Sequence, residues 1–228
     1  MKKAIFLGDS ITMGYGLTAP ADRFSTVFCQ MAGFHEINHG ICGTLIARAG
    51  MSRENGTSFM DRYQLMPEGD LIVVFGGTND YFWSDEPISS DGIEGDQFFS
   101  CAVRHLCTGL KVKYPGKPII FILPYQMRGI GKTPDSTEAN PSSFHCSDEK
   151  NFVGCTLADY VDMQRKICEE ENIPFLDLYH DPEIDIAHRD SDYQHFTLDG
   201  CHPNENGHRR IAEKLYQFYQ NVVRGGRC

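Results

Sequence analysis

Three short stretches of this chain carry side chains that could do chemistry together. Gly8-Asp9-Ser10 follows an apolar run at residues 3–7 and precedes Gly14 and Gly16. A serine at a strand-to-helix turn has its hydroxyl held at the sheet edge, with N–H groups of the helix start facing any developing anion. The same placement is also the ordinary one for a helix N-cap. Gly76-Gly77-Thr78-Asn79-Asp80 follows a second apolar run. Its glycines permit a sharp turn and a close approach, and Asn79 would present an amide N–H donor there. An Asn-Asp turn capping the next helix accounts for it equally well. Asp199-Gly200-Cys201-His202-Pro203-Asn204 lies just before the last helical pattern. A histidine base needs an acceptor on its second ring nitrogen, and an aspartate three residues earlier in a tight loop can supply one. Asn204 capping the final helix is the structural reading, and it is compatible with the chemical one.

Taken singly, each stretch has a structural explanation. Taken together, they supply a nucleophile, a base with its orienting carboxylate, and an oxyanion donor, which are the parts acyl transfer needs.

For those parts to meet, the elements around them must bring their ends to one place. Residues 3–7, 71–75 and 119–123 are short, continuously apolar runs; residues 173–178 contain a shorter one, and 36–38 are a candidate small strand. Continuous apolar runs suit strands buried on both faces, as in a parallel sheet. Helical patterns cover roughly 96–114, 156–172 and 205–223, the last with Ile211, Leu215, Phe218 and Val222 on one face. This alternation predicts a three-layer α/β sandwich with right-handed crossovers. In such a fold the three stretches converge at the carboxyl edge of the sheet, where ligands bind. The polar segment 126–148 follows a strand and would reach the same edge, as a functional loop or as a surface insertion.

Composition narrows the classes. The 228 residues suit one α/β domain spanning 1–228, and 41% hydrophobic with 23% charged residues is ordinary for a globular protein. Twenty-one basic against 31 acidic residues give a net charge of -10, which argues against nucleic-acid binding. No apolar stretch is long enough to span a membrane, and Ala4, Ile5, Phe6 and Leu7 are too few for a signal-peptide core. Nine cysteines without a CxxC pair are read as reduced thiols in a cytoplasmic protein, with an exported, disulfide-bearing enzyme as the alternative.

On the residues given above, the sequence resembles the SGNH hydrolase family, also called GDSL esterases and lipases. Gly8-Asp9-Ser10 resembles the first block, Asn38-His39-Gly40-Ile41-Cys42-Gly43 the second, Gly77-Thr78-Asn79-Asp80 the third and Asp199-Gly200-Cys201-His202-Pro203 the fifth. The resemblance covers essentially the whole chain. It implies a three-layer α/β/α sandwich around a mostly parallel, five-stranded, flavodoxin-like sheet. It also implies a triad of Ser10, His202 and Asp199, and an oxyanion hole from the N–H groups of Ser10 and Gly43 with the Asn79 side chain. Gly40 is the fallback for Gly43. Asp9 and Tyr81 are expected to touch the substrate, while Tyr81, Phe82 and Trp83 fit a pocket wall or the core equally well. The implied reaction is hydrolysis of short-acyl carboxylic esters, O-acetyl groups on carbohydrate among them, with no metal and no organic cofactor. The partner expected is a small-molecule ester, with no nucleic acid and no membrane. An acyltransferase using the same residues, or a non-catalytic carbohydrate-binding module on this fold, are the alternatives.

Other patterns fall short. Residues 14–19 fit GxGxxA but begin several residues past the strand end. Gly131-Lys132-Thr133 resembles the end of a phosphate loop, yet residue 126 is Gln rather than Gly. No GxSxG surrounds any serine. Cys201, His195, His202 and His208 match no standard zinc spacing.

Overall fold

Strands form where side chains can be buried on both faces. In a computed structural model of the chain, which describes residues 1–89, 92–129 and 146–225, Ala4, Ile5, Phe6 and Leu7 are fully buried in β1 (Lys3–Gly8). β3 (Leu71–Phe75) and β4 (Ile119–Leu123) are buried along their whole length. β2 (His35–Gly40) and β5 (Phe175–Asp177) flank them in the order β2-β1-β3-β4-β5, and every pairing is parallel. The two edge strands are half-buried, which explains why their apolar signal in the sequence is weak. β2 is longer than the 36–38 run because six consecutive residues pair with β1, whatever their polarity.

The helices, in chain order, are α1 (Ser10–Met13), α2 (Phe24–Ala32), α3 (Gly50–Asn55), α4 (Phe59–Arg62), α5 (Thr78–Trp83), α6 (Phe99–Lys113), α7 (Leu157–Glu170), α8 (Asp190–Phe196) and α9 (Glu205–Phe218). α2 packs on α9 and α6 packs on α7, and right-handed crossovers place these two pairs on opposite faces of the sheet. The result is the three-layer α/β/α sandwich with five parallel strands. The expected apolar face of α9 holds for Ile211 and Leu215, which are buried, and for Phe218, which packs partly buried against the core, and then lapses. Val222 is 42% exposed and Tyr219 is buried in its place, against Phe28 and Phe34. Residues Tyr219–Arg224 are wound as a π-helix, whose extra residue per turn shifts the side-chain phase.

Residues 130–145 of the polar segment lie outside the described residues. Among the described residues Cys29, Cys42, Cys107, Cys155, Cys168 and Cys201 are free thiols, and no helix is long and apolar enough to cross a membrane.

The chain leaves β1 toward β2 on one side and returns to pair β3 on the other, so the strand order reverses between β1 and β3. Carboxyl ends at such a reversal open into a crevice. α1 lies against this edge because two glycines make room for it. A Cβ on Gly8 would fall 1.9 Å from Thr12 Oγ1, and one on Gly40 would fall 2.2 Å from the Met13 backbone nitrogen. The second contact is with backbone and cannot be relieved by a rotamer. Gly40→Ala is therefore expected to cost about 1–3 kcal/mol by overpacking, measured as a lower urea midpoint; an unchanged midpoint would mean that α1 is not seated on β2.

Candidate active site

Ser10 is the first residue of α1, immediately after β1. Asp9 caps this helix, its Oδ1 accepting the Ile11 N–H at 2.9 Å. The Ser10 N–H belongs to the first turn and has no helical carbonyl behind it. The Ser10 Oγ lies 3.0 Å from His202 Nε2. His202 Nδ1 lies 2.7 Å from Asp199 Oδ2, which fixes the tautomer with the proton on Nδ1 and a lone pair on Nε2 facing the serine.

Local structure rather than a long element holds Asp199 and His202 together. Asp199 Oδ1 accepts the N–H groups of Cys201 and His202 at 2.9 and 2.7 Å. Gly200 takes φ +91°, and its N–H reaches Thr197 Oγ1 at 3.2 Å. The Leu198 N–H donates to the His202 carbonyl, and Thr197 bridges Pro203, which closes a small hairpin. The Tyr125 hydroxyl, just beyond β4, donates to the Cys201 carbonyl. Asn204 then caps α9 through the N–H groups of Asn206 and Gly207, so capping and the Asp-His pair coexist. Burial alone would raise the Asp199 carboxyl, but the hydrogen bonds from the His202 ring and backbone outweigh it and hold it below its usual range.

The donor side is assembled from three segments. Gly43, at φ +71°, lines the cleft, and its N–H has no hydrogen-bond partner among the described residues. The Gly40 N–H instead donates to Asn38 Oδ1 at 2.9 Å, so the fallback donor is already committed. The Asn79 amide group donates to Asp9 Oδ2 and to the Thr44 carbonyl, both at 3.2 Å. These bonds are long, and they hold the amide across the gap between α1 and the loop that carries Gly43.

Two buried groups that the sequence did not single out pin that loop. Asp80 is fully buried and accepts the N–H groups of Ile46 and Ala47 at 2.8 and 2.9 Å; burial pushes its carboxyl up to about 7. Arg62 forms no ion pair among the described residues. It donates to the carbonyls of Thr57, His39 and Gly8 and to Thr44 Oγ1, joining the ends of β1 and β2 to the loop. Nothing in the local pattern around Arg62 distinguishes it from a surface arginine, since its partners are backbone carbonyls.

The cleft holds about 320 Å³ and is lined by Ser10, His202, Gly43 and Asn79 together with Ile11, Tyr15, Cys42, Met51 and Trp83. A larger hollow of about 640 Å³ lies at the amino edge of the sheet around Lys3, Asp70, Tyr114 and Lys117. It contains no nucleophile beside a base, and Lys117 is paired with Asp70.

One expectation needs correction. Tyr81 does not reach the cleft: it is fully buried, with its hydroxyl 2.6 and 2.8 Å from the carbonyls of Cys146 and Glu149. Two positions along a helix turn a side chain about 200° away, so Tyr81 points opposite to Asn79, whereas Trp83, four positions on, returns to the face of Asn79. Of the aromatic trio, Trp83 lines the cleft, and Tyr81 and Phe82 belong to the core. Asp9 lines the cleft as expected, and its two oxygens accept from the Ile11 N–H and the Asn79 amide. Tyr15 was missed altogether, although it stands between the two glycines of the discarded GxGxxA pattern. Its ring lies over His202, with centroids 4.6 Å apart. His208 is a core histidine whose Nδ1 accepts the Phe24 N–H, and burial pushes it down to about 3. Among the described residues no group of three or more metal-ligating side chains comes together.

Burial pushes the Asp9 carboxyl from 3.8 up to about 6, against the opposing pull of the Ile11 N–H, His202 and Arg62. A carboxyl raised in the native state favours folding at low pH, and that contribution is lost as pH rises through the native value. Relative to Asp9→Asn, the wild type is thus expected to lose about 2–3 kcal/mol of stability between pH 4 and pH 7. Urea titrations of both proteins across that range check this, and a pH-independent difference would contradict it.

With the geometry in place, comparison with known proteins is informative. A profile of the GDSL-like Lipase/Acylhydrolase family matches residues 6–210. Among solved structures, a protein from Lactobacillus plantarum is 29% identical, with 97% of each chain covered and a TM-score of 0.80. A possible lipase from Chitinophaga pinensis is 20% identical over 98% of this chain and 99% of its own, with a TM-score of 0.72. A two-domain esterase active on acetylated mannans is 18% identical; it covers 97% of this chain with 50% of its own, at a TM-score of 0.62. No curated protein sequence matches significantly. The chain belongs to the GDSL-like lipase/acylhydrolase family and is a carboxylic ester hydrolase of the SGNH type.

Proposed function

We propose that the chain hydrolyses short-acyl esters through a Ser10-His202-Asp199 triad and an acyl-enzyme, with O-acetyl groups on carbohydrate as the substrate class. The observation that carries this reading is the continuous line of hydrogen bonds from Ser10 Oγ through His202 to Asp199, at 3.0 and 2.7 Å. His202 Nε2 takes the hydroxyl proton as Oγ attacks the ester carbonyl. The negative charge on the carbonyl oxygen falls to the N–H groups of Ser10 and Gly43 and to the Asn79 amide. As the C–O bond to the alcohol breaks, His202 returns the proton to the leaving oxygen. Water, deprotonated by His202, then attacks the acyl-serine, and the acid departs with Ser10 reprotonated. Asp199 stays ionised throughout and stabilises the imidazolium, in keeping with its lowered carboxyl.

A cleft of this size suits a small acyl group, and acetylated mannans are the substrate of one structural neighbour. The buried free thiols of Cys29, Cys107, Cys168 and Cys201 fit a reducing compartment such as the cytoplasm.

Hydrolysis of p-nitrophenyl acetate tests the roles separately. Ser10→Ala and His202→Ala are expected to lose about 10⁴-fold or more in kcat, and Asp199→Asn about 10⁴-fold. Asn79→Ala is expected to lose about 100- to 1000-fold, as for other oxyanion donors. Circular dichroism should show each variant folded. A folded Ser10→Ala with wild-type turnover would refute the triad, and acyl transfer to an added sugar in preference to water would make the enzyme a transferase.

A further inference from the structure

The direction of proton transfer decides which half of the ester lies where. His202 must hand its proton to the leaving oxygen, so the alcohol departs along the imidazole. The acyl group then lies on the other side of the carbonyl carbon, away from the imidazole.

On the alcohol side the side chain in place is Tyr15. Its ring is tilted 44° to that of His202 at 4.6 Å between centroids, and the residue is 49% exposed. Its backbone is fixed, since its N–H donates to the Ser10 carbonyl at 2.9 Å. Its hydroxyl has no hydrogen-bond partner among the described residues. Beside it, Leu198 is 47% exposed and closes against Gly16, where a Cβ would fall 2.3 Å from Leu198 Cδ1. An apolar ring and an aliphatic side chain are thus held open to solvent next to the base, with an unpaired hydroxyl at the ring's tip.

We infer that Tyr15 is the platform for the alcohol half of the ester, and that this half is a pyranoside. A pyranose presents a face of C–H groups that stacks on an aromatic ring and a rim of hydroxyls that pairs with a phenol. A simple alkyl alcohol uses neither feature. Tyr15 is in this account a specificity-determining residue, and the inference rests on the esterase reading above.

The experiment measures acetate release from a mono-O-acetylated methyl hexopyranoside, from phenyl acetate and from ethyl acetate. Wild type, Tyr15→Phe, Tyr15→Leu and Ser10→Ala are compared. All three esters form the same acetyl-enzyme, so differences between them report the alcohol half alone. Tyr15→Leu is expected to lower the pyranoside-to-ethyl ratio of kcat/KM by about fivefold to tenfold, mainly through KM, and Tyr15→Phe by about threefold or less. An unchanged ratio would mean that Tyr15 only packs against His202, and it would overturn the inference while leaving the esterase reading intact. A loss confined to phenyl acetate would overturn the pyranoside assignment in favour of an aryl alcohol. If wild type releases no acetate from any of the three, or releases it equally without Ser10, the esterase reading itself fails and takes this inference with it.

Discussion

The hydrogen bond between Ser10 and His202 joins residues 192 positions apart, and most of the surrounding structure bears on keeping it. One end is fixed by β1, an interior strand buried from Ala4 to Gly8 that delivers Ser10 at its carboxyl tip. The other end is fixed by a short hairpin, closed between Thr197 and Pro203, whose turn at Gly200 points Asp199 back at the ring it orients. Neither end moves independently of the sheet. Tyr125, leaving β4, holds the Cys201 carbonyl, and α9 starts from Asn204 directly after the hairpin. A displacement of even an ångström at either end would break this hydrogen bond, and a buried strand and a tight turn hold its two ends.

The donor side reaches the same precision by a costlier route. Asp9, Asp80 and Arg62 are all buried, and none forms an ion pair among the described residues. Buried charges without counter-ions destabilise a fold unless hydrogen bonds replace their hydration. Here the hydrogen bonds run to backbone groups of the segments that must be aligned: Asp80 to residues 46 and 47, Arg62 to residues 8, 39 and 57, and Asp9 to residue 11. The raised carboxyls of Asp9 and Asp80 and the lowered Arg62 are the trace of that cost. What it secures is the relative position of Ser10, Gly43 and Asn79, contributed by three loops after three strands.

Sequence patterning made the central strands and the chemical groups legible, because both depend on short-range signals. β1, β3 and β4 are apolar on both faces, and the nucleophile, amide and Asp-His loop stand beside glycines that turn the chain. The edge strands were faint because half of each is solvated. Tyr81 was misjudged for want of a helical phase: only once α5 is known to begin at Thr78 does Trp83, rather than Tyr81, share a face with Asn79. Arg62 had no signal, and Asp80 stood in a recognised stretch without its role being readable, since the partners of both are backbone groups brought near by tertiary folding. Tyr15 had a signal, the flanking Gly14 and Gly16, but no local reason to connect it with a histidine far along the chain.

The central claim is that Ser10, activated by His202, is the group that takes the acyl chain. Reaction with a fluorophosphonate, followed by intact-mass and peptide mass spectrometry, addresses it most directly, because the probe bonds only to a hydroxyl that a base has made nucleophilic. One adduct per chain is expected, on the peptide containing Ser10, and none in His202→Ala. An adduct on another residue, or full labelling of Ser10 without His202, would contradict it.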